Sequence, residues 1–176
     1  MVRVKALADG FDTILSEYQR VSSAHDSDHL WMDWHSDWDH GANWQALPVY
    51  ASERLVRMEY GKDVDWESLT SIMSDMWPDT WGVVFGALDP DRVSLVTFSR
   101  LGPFQELGPH SHENPGHHVF HMGMEIPDGD VGIRTSGGVF AWEKPGDFLL
   151  FDDNKTHSAW NRTSGDRVVF YVDYIS

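Results

Sequence analysis

The sequence of residues 117–126, His-His-Val-Phe-His-Met-Gly-Met-Glu-Ile, predicts a strand whose two faces differ in chemistry. Successive side chains of a strand point to opposite faces, so His117, Val119, His121 and Gly123 share one face and the mainly apolar residues between them share the other. A buried histidine is costly unless it meets a hydrogen-bond partner, an anionic ligand or a metal-bound group. The strand therefore indicates a β-domain with a polar site inside an apolar interior.

Further strands are predicted after residue 90, separated by Gly, Pro, Asp and Asn turns. With His117–Ile126 they are Arg92–Ser99, Val131–Thr135, Val139–Trp142, Asp147–Phe151 and Arg167–Tyr174. Several short strands at close spacing are typical of a sandwich or barrel. In the last strand Arg167, Val169 and Tyr171 share a face, which places a cation among otherwise apolar positions.

Two amphipathic helices are predicted before residue 90, over Asp9–Ser23 and Asp65–Trp77. Asp9 is a candidate N-cap of the first helix. The apolar stripe of the second helix is interpreted as core packing, the general rule for surface helices. The stripe comprises Trp66, Leu69, Ile72, Met73 and Met76.

Length and composition predict one folded, acidic domain. The 176 residues suffice for a single core, and 41% of them are hydrophobic despite a formal net charge of −15. Residues 1–90 are predicted to supply a helical buttress with strands leading into the barrel, and residues 91–176 the β core. Nucleic acid is excluded as a partner because 28 Asp and Glu outnumber 13 Lys and Arg without any basic run.

The chain is also expected to be cytoplasmic and to have no membrane partner. Its N-terminus lacks a signal-peptide pattern, and no apolar run reaches the roughly 18 residues of a membrane span. There are no cysteines, so a metal would have to be bound by His, Asp, Glu or water. The oligomeric state cannot be predicted.

Two histidines occur in distinctive settings. His110 lies in Gly-Pro-His-Ser-His-Glu, residues 108–113, and His157 follows Phe-Asp-Asp-Asn-Lys-Thr, residues 151–156. Neutral imidazoles on separate strands, with Arg167 nearby, suit a transition metal and an anionic co-substrate. The pair indicates a metalloenzyme.

The stretch Ser99–Asp173 resembles the aspartyl/asparaginyl β-hydroxylase family of Fe(II)- and 2-oxoglutarate-dependent dioxygenases. The resemblance implies a double-stranded β-helix, which is a jelly-roll, cupin-like barrel. A weaker similarity at Asn43–Leu47 corresponds to the family's tryptophan-bearing strand leading into the barrel. The matching segments are His110, His121–Met124 with Ile126-Pro127, Trp142–Asp147, Phe151–Asp153, His157–Asn161 and Arg167–Phe170.

The resemblance implies roles for individual residues. His110 and His157 match the two iron-binding histidines, which the family uses in catalysis. Arg167 and Ser99 match the residues that hold the distal carboxylate of 2-oxoglutarate, consistent with the two-pronged binding of a carboxylate by a guanidinium. His121 matches a histidine that contacts this co-substrate.

Asp152 and Asp153 match an acidic pair that precedes the second iron ligand in the family. Asp153 is the candidate catalytic carboxylate, orienting a metal-bound water, and ordinary turn chemistry is the alternative for the pair. Trp44 and His117 are candidate substrate contacts. The cofactors implied are Fe(II), 2-oxoglutarate and O2, with release of succinate and CO2. The expected substrate is an amino acid or short peptide.

Two positions depart from the usual pattern. Many iron dioxygenases complete their ligand set with a carboxylate two residues after the first histidine, whereas this chain has His112. His112 either ligates the metal or lines the pocket, and Glu113 is a further candidate. Val119 lies where the family often has an arginine facing the co-substrate. His117 or another imidazole could make the contact that this arginine makes in the family.

Two other functions remain open. A 2-oxoglutarate-independent, cupin-type metalloenzyme could use a three-histidine centre of His110, His112 and His157, and a non-enzymatic ligand-binding barrel could retain the same ligands. Ser99 and Arg167 favour the 2-oxoglutarate hypothesis, because it alone explains an anion pocket.

The segment His29–Trp44 is rich in Trp, Asp and His. It is interpreted either as a wall over the barrel mouth that contributes to substrate choice or as an acidic surface loop pinned by tryptophans. A second metal site at His35 and His40 is a weaker hypothesis.

Overall fold

Two antiparallel sheets frame the protein in a computed structural model that describes residues 2–24, 27–34, 43–113 and 115–175. The larger sheet has the strand order β1-β2-β3-β10-β5-β8 and the smaller sheet the order β4-β9-β6-β7. The strands are Met32–Asp33 (β1), Trp44–Ala51 (β2), Val93–Leu101 (β3), Gln105–His110 (β4), His117–Glu125 (β5), Val131–Thr135 (β6), Gly138–Ala141 (β7), Phe148–Phe151 (β8), His157–Asn161 (β9) and Arg167–Ile175 (β10).

The pairing of the last eight strands is nested. β3 pairs with β10, β4 with β9, β5 with β8 and β6 with β7, so the chain forms one long hairpin centred on the β6–β7 turn. β10 also pairs with β5, and β9 with β6, which winds this hairpin into two facing sheets. The arrangement is a double-stranded β-helix, and the predicted fold is confirmed.

The alternation predicted for β5 and β10 divides their side chains between two cores. Val119 and Val169 lie between the two sheets, in a cluster that also contains Ile133 of the smaller sheet. Phe120 and Phe170 lie on the opposite face, in the core between the larger sheet and the helices. The inner face also receives His121, Arg167 and the other polar residues of the site described below.

Within the described ranges, five α-helices accompany the sheets: Val2–Asp9 (α1), Phe11–Ser22 (α2), Glu53–Tyr60 (α3), Trp66–Met76 (α4) and Pro78–Ala87 (α5). α1, α2 and α5 pack on one another and on the outer face of the larger sheet. The buried carboxylate of Glu17 accepts hydrogen bonds from the Asp79 and Thr80 amides (3.2 and 2.7 Å), which are otherwise unpaired at the start of α5. Trp77, fully buried, donates to the carbonyl oxygen of Pro48 (2.9 Å) and so ties the helices to β2.

Two details of the helix predictions were wrong. Asp9 is the last residue of α1 rather than an N-cap, and its carboxylate accepts from Lys5 Nζ (2.7 Å); Gly10 precedes α2. The apolar stripe of α4 is only partly packed, because Leu69 and Ile72 are 39% and 58% exposed. Trp66 and Met76 do contact the core, so α4 packs through the two ends of the stripe.

Candidate metal centre

Three histidines meet where β4 ends and β9 begins. His110 is the last residue of β4 and His157 the first of β9, and the antiparallel ladder places them opposite each other. His112 follows on the connection to β5, where its backbone N–H donates to the carbonyl oxygen of Asp153 (3.0 Å). One ring nitrogen from each histidine lies within 4.8 Å of the others. The spacing suits one ion shared by three imidazoles.

Backbone hydrogen bonds orient two of the rings. Nδ1 of His110 lies 2.8 Å from the carbonyl oxygen of Gly108, and Nδ1 of His157 lies 2.9 Å from that of Lys155. A carbonyl oxygen can only accept, so each Nδ1 carries the proton and each Nε2 keeps its lone pair for a metal.

Burial keeps these rings neutral at physiological pH. It lowers the pKa of His110 to about 4, with His157 and His112 adding smaller unfavourable effects on the charged ring. Burial also lowers the pKa of His157. Neutral imidazole is the form that binds metal, so little free energy is lost in displacing protons.

The histidines line a cavity of about 40 Å³ between the two sheets. Its walls are mainly apolar and aromatic and include Val119, Ile133, Phe151 and Tyr171. Val119, where an arginine is common in the family, is 1% exposed and adds no charge to this wall.

Arg167 also lines this cavity, and its side chain is buried with no carboxylate partner among the described residues. It is 2% exposed, and its Nε has no hydrogen-bond partner among the described residues. None of the described carboxylates forms an ion pair with it, and its guanidinium lies 5.3 Å from the ring of Trp142. Burial lowers the pKa of Arg167 to about 10, so the side chain is still charged at pH 7. An anionic ligand would offset the cost of this buried charge.

His121 lines the cavity as well. Neither ring nitrogen has a hydrogen-bond partner within the described ranges, and its side chain is buried. Burial is the main cause of a pKa far below the usual value, and the charges of Arg167 and His157 lower that pKa further. The ring is therefore neutral and offers one donor and one acceptor to a ligand.

Ser99 and Trp44 form a hydrogen-bonded pair in the same cavity. Trp44 Nε1 donates to Ser99 Oγ (2.9 Å), so the serine keeps its own hydrogen for a ligand. Trp34 stacks on Trp44 at 4.5 Å with an interplanar angle of 7°. The pair of indoles fixes the position of the serine and closes one side of the cavity.

The two residues of the acidic pair, Asp152 and Asp153, lie in different environments. Asp152 accepts hydrogen bonds from the backbone N–H and the side chain of Asn154, both at 3.0 Å, which is turn chemistry. Asp153 is buried and lines the cavity, and burial followed by the charge of Asp173 raises the pKa of Asp153.

His117 lies outside this cavity. Its Nδ1 is 2.8 Å from Oδ1 of Asp173, and both residues line a second pocket. Asp173 was not singled out from the sequence, although it continues the alternation of Arg167 and Tyr171 along β10. The substrate contact expected of His117 stays a prediction.

The tryptophan-rich segment contributes to two regions. Trp31 is buried against the helix–sheet core, whereas Trp34 lines the cavity. His35 and His40, proposed as a second metal site, lie outside the described residues.

Residues 8–176 match the family described as Aspartyl/Asparaginyl beta-hydroxylase. The chain belongs to this family. The ornithine lipid ester-linked acyl 2-hydroxylase of Rhizobium tropici is 32% identical over 100 residues, which are 56% of this chain and 34% of that protein. The human aspartyl/asparaginyl beta-hydroxylase is 28% identical over 104 residues, which are 59% of this chain and 12% of that protein.

The chain thus covers well under two thirds of either relative in this family. Among solved structures, KdgF from Halomonas sp. aligns with a TM-score of 0.44 at 12% identity, covering 86% of this chain and 94% of that one. No described helix of the present chain has the length and apolarity needed to cross a membrane.

Proposed function

We propose that this chain is an Fe(II)- and 2-oxoglutarate-dependent dioxygenase that hydroxylates a C–H bond of an amino acid or short peptide. The observation that carries the proposal is one cavity lined by three clustered imidazoles and by the buried guanidinium of Arg167, which forms no ion pair with any carboxylate that the structure describes. Membership of a family described by hydroxylation supports an enzyme of this class.

The donor set fits iron. His110 and His157 would bind the metal through Nε2, and His112 would supply a third imidazole on the same side. Imidazole ligands suit iron(II) as well as other first-row metals. When bound, iron with 2-oxoglutarate and O2 supplies the oxidising chemistry that converts a substrate C–H to C–OH, with release of succinate and CO2.

The polar residues of the cavity wall fit 2-oxoglutarate. Arg167 presents the fork that binds a carboxylate through two parallel hydrogen bonds, and Ser99 adds a hydroxyl donor. Neutral His121 lines the same cavity and can hydrogen-bond the co-substrate. The indoles of Trp34 and Trp44 would exclude water from one side of the bound acid.

A cupin-type metalloenzyme that does not use 2-oxoglutarate is the second candidate. The observation in its favour is the third imidazole, because His112 supplies a ring nitrogen within 4.8 Å of a ring nitrogen of each of the other two histidines. That candidate leaves the buried charge of Arg167 without a role.

Anaerobic titration of the iron-loaded protein with 2-oxoglutarate tests the proposal. Chelation should produce the metal-to-ligand charge-transfer band, and Arg167→Gln should move the midpoint to higher 2-oxoglutarate without loss of iron. Arg134→Gln is the matched control, since Arg134 is an exposed arginine of β6. Intact iron binding with no band in the wild-type protein would favour the cupin-type enzyme instead.

A further inference from the structure

A second pocket lies where α3 meets the ends of three strands of the larger sheet. Its cavity volume is about 210 Å³, against about 40 Å³ for the metal-centre cavity. Arg54 of α3, Arg92 before β3, His117 of β5 and Asp173 of β10 line it. Of the residues given a role in the sequence analysis, this pocket contains His117, a candidate substrate contact.

The two pockets are neighbours along one face of the larger sheet. Val119 and Tyr171 line the metal-centre cavity, while His117 and Asp173, two residues further along the same strands, line the second pocket. Two residues of a strand span about 7 Å. Val119 is the direct ladder partner of Asp173, so the shared wall is continuous.

The volumes indicate where a substrate can lie. A cavity of about 40 Å³ has room for roughly three water molecules. A co-substrate bound at Arg167 would occupy that space, so most of a second organic molecule has to lie outside it. The larger pocket, about 7 Å along the sheet, is the adjoining space.

The charges of the second pocket favour an anion. Neither Arg54 nor Arg92 forms an ion pair with a carboxylate in the part of the chain that the structure describes. Asp173 is already held by His117 through a 2.8 Å contact, and both side chains are nearly buried. Asp91 is the remaining acidic residue of the lining. The lining therefore holds two guanidinium groups beside two acidic residues, and neither guanidinium lies within ion-pair distance of a described carboxylate, so each is available to an anionic ligand.

We infer that this pocket binds an anionic group, a carboxylate or a phosphate, of the molecule that is hydroxylated at the metal centre, with Arg54 and Arg92 contacting the anion. The apolar side chains of Leu55, Val93 and Ile175 line the rest of the pocket and suit a carbon skeleton. The link to hydroxylation rests on the proposed function, whereas anion binding itself requires neither iron nor 2-oxoglutarate.

Titrations of the metal-free 176-residue chain followed by amide NMR test the binding step. The probes are inorganic phosphate, N-acetylglycine and, as the uncharged match, N-acetylglycinamide. The backbone amide signals of Arg54, Leu55 and Ser94 should shift saturably with at least one of the two anions and should not shift with N-acetylglycinamide. The anion that binds more tightly identifies whether the pocket prefers a carboxylate or a phosphate. R54Q/R92Q should weaken that binding about tenfold, the effect of losing two partly exposed ion pairs. R134Q should leave it unchanged.

Absence of saturable shifts in the wild-type protein, or equal affinity in R54Q/R92Q, would overturn the inference. A second assay tests the link to hydroxylation by measuring succinate formation with a panel of amino acids and their carboxamides. Free acids should stimulate turnover more than amides, and R54Q/R92Q should raise KM more than it lowers kcat. Equal stimulation by acids and amides would refute the link. Anion binding without any charge-transfer band in the wild-type protein would instead refute the proposed function and leave the anion site standing.

Discussion

Replacing Arg167 with methionine should stabilise the ligand-free protein and remove its response to 2-oxoglutarate. Burial lowers the pKa of Arg167 from its usual value to about 10. One pKa unit corresponds to about 1.4 kcal/mol, so holding the charged form inside the barrel costs on the order of 3 kcal/mol. The folded-state pKa is depressed, so this cost applies fully below pH 10 and is relieved only as pH rises towards 12.5. Methionine fills similar space without charge and should recover about 1–3 kcal/mol.

The same substitution removes the fork proposed to hold the distal carboxylate. Charge-assisted hydrogen bonds are worth about 1.5–3 kcal/mol each, so the affinity for 2-oxoglutarate should fall about 100-fold. Urea unfolding of the metal-free protein, with and without 2-oxoglutarate, measures both effects. Arg167→Lys is the matched control, because it keeps the buried charge and should not gain stability. Destabilisation of the ligand-free protein by Arg167→Met would show that the guanidinium is paired internally and refute this reasoning.

Three further substitutions probe the rest of the site. Trp44→Phe keeps the aromatic packing but removes the donor to Ser99, and it should weaken 2-oxoglutarate about fivefold while iron affinity, measured by competition with a chelator, stays the same; an equal loss of iron affinity would contradict this role. His112→Ala should weaken iron binding if this ring is a third ligand, though less than His157→Ala, and unchanged iron affinity would remove His112 from the ligand set. His110 has a depressed pKa of about 4, so the ligand-free protein should lose stability as pH falls from 6.5 towards 4, and His110→Gln should reduce that loss in urea unfolding at pH 7 and pH 5; the same pH dependence in both proteins would contradict the assignment.

The period-two pattern of β5 and β10 predicted which residues face the barrel interior, because alternation is fixed by strand geometry. It did not predict which of the two pockets each residue of the strand lines. His117 and His121 share a face, yet the first pairs with Asp173 in the second pocket while the second lines the metal-centre cavity. That difference depends on the register between β5 and β10, strands more than 40 residues apart in the chain.

His110 and His157 were expected on separate strands, but the ranges of these strands, β4 and β9, were not among those predicted from the sequence pattern. β4 contains Gly108 and Pro109, which normally interrupt a strand pattern, and its register with β9 is irregular before His110. The approach of His110 to His157 was therefore an inference from family resemblance rather than from local sequence. The stacking of Trp34 on Trp44 likewise depends on the tertiary path of the chain before β2.

A crystal structure of the metal-loaded protein grown anaerobically with 2-oxoglutarate tests the central claim most directly. Iron should lie on Nε2 of His110 and His157, and the far carboxylate of 2-oxoglutarate should lie within about 3.2 Å of the Arg167 guanidinium, the upper limit of a normal hydrogen bond. A metal bound elsewhere, or an Arg167 guanidinium that contacts no anion when the co-substrate is bound, would contradict it.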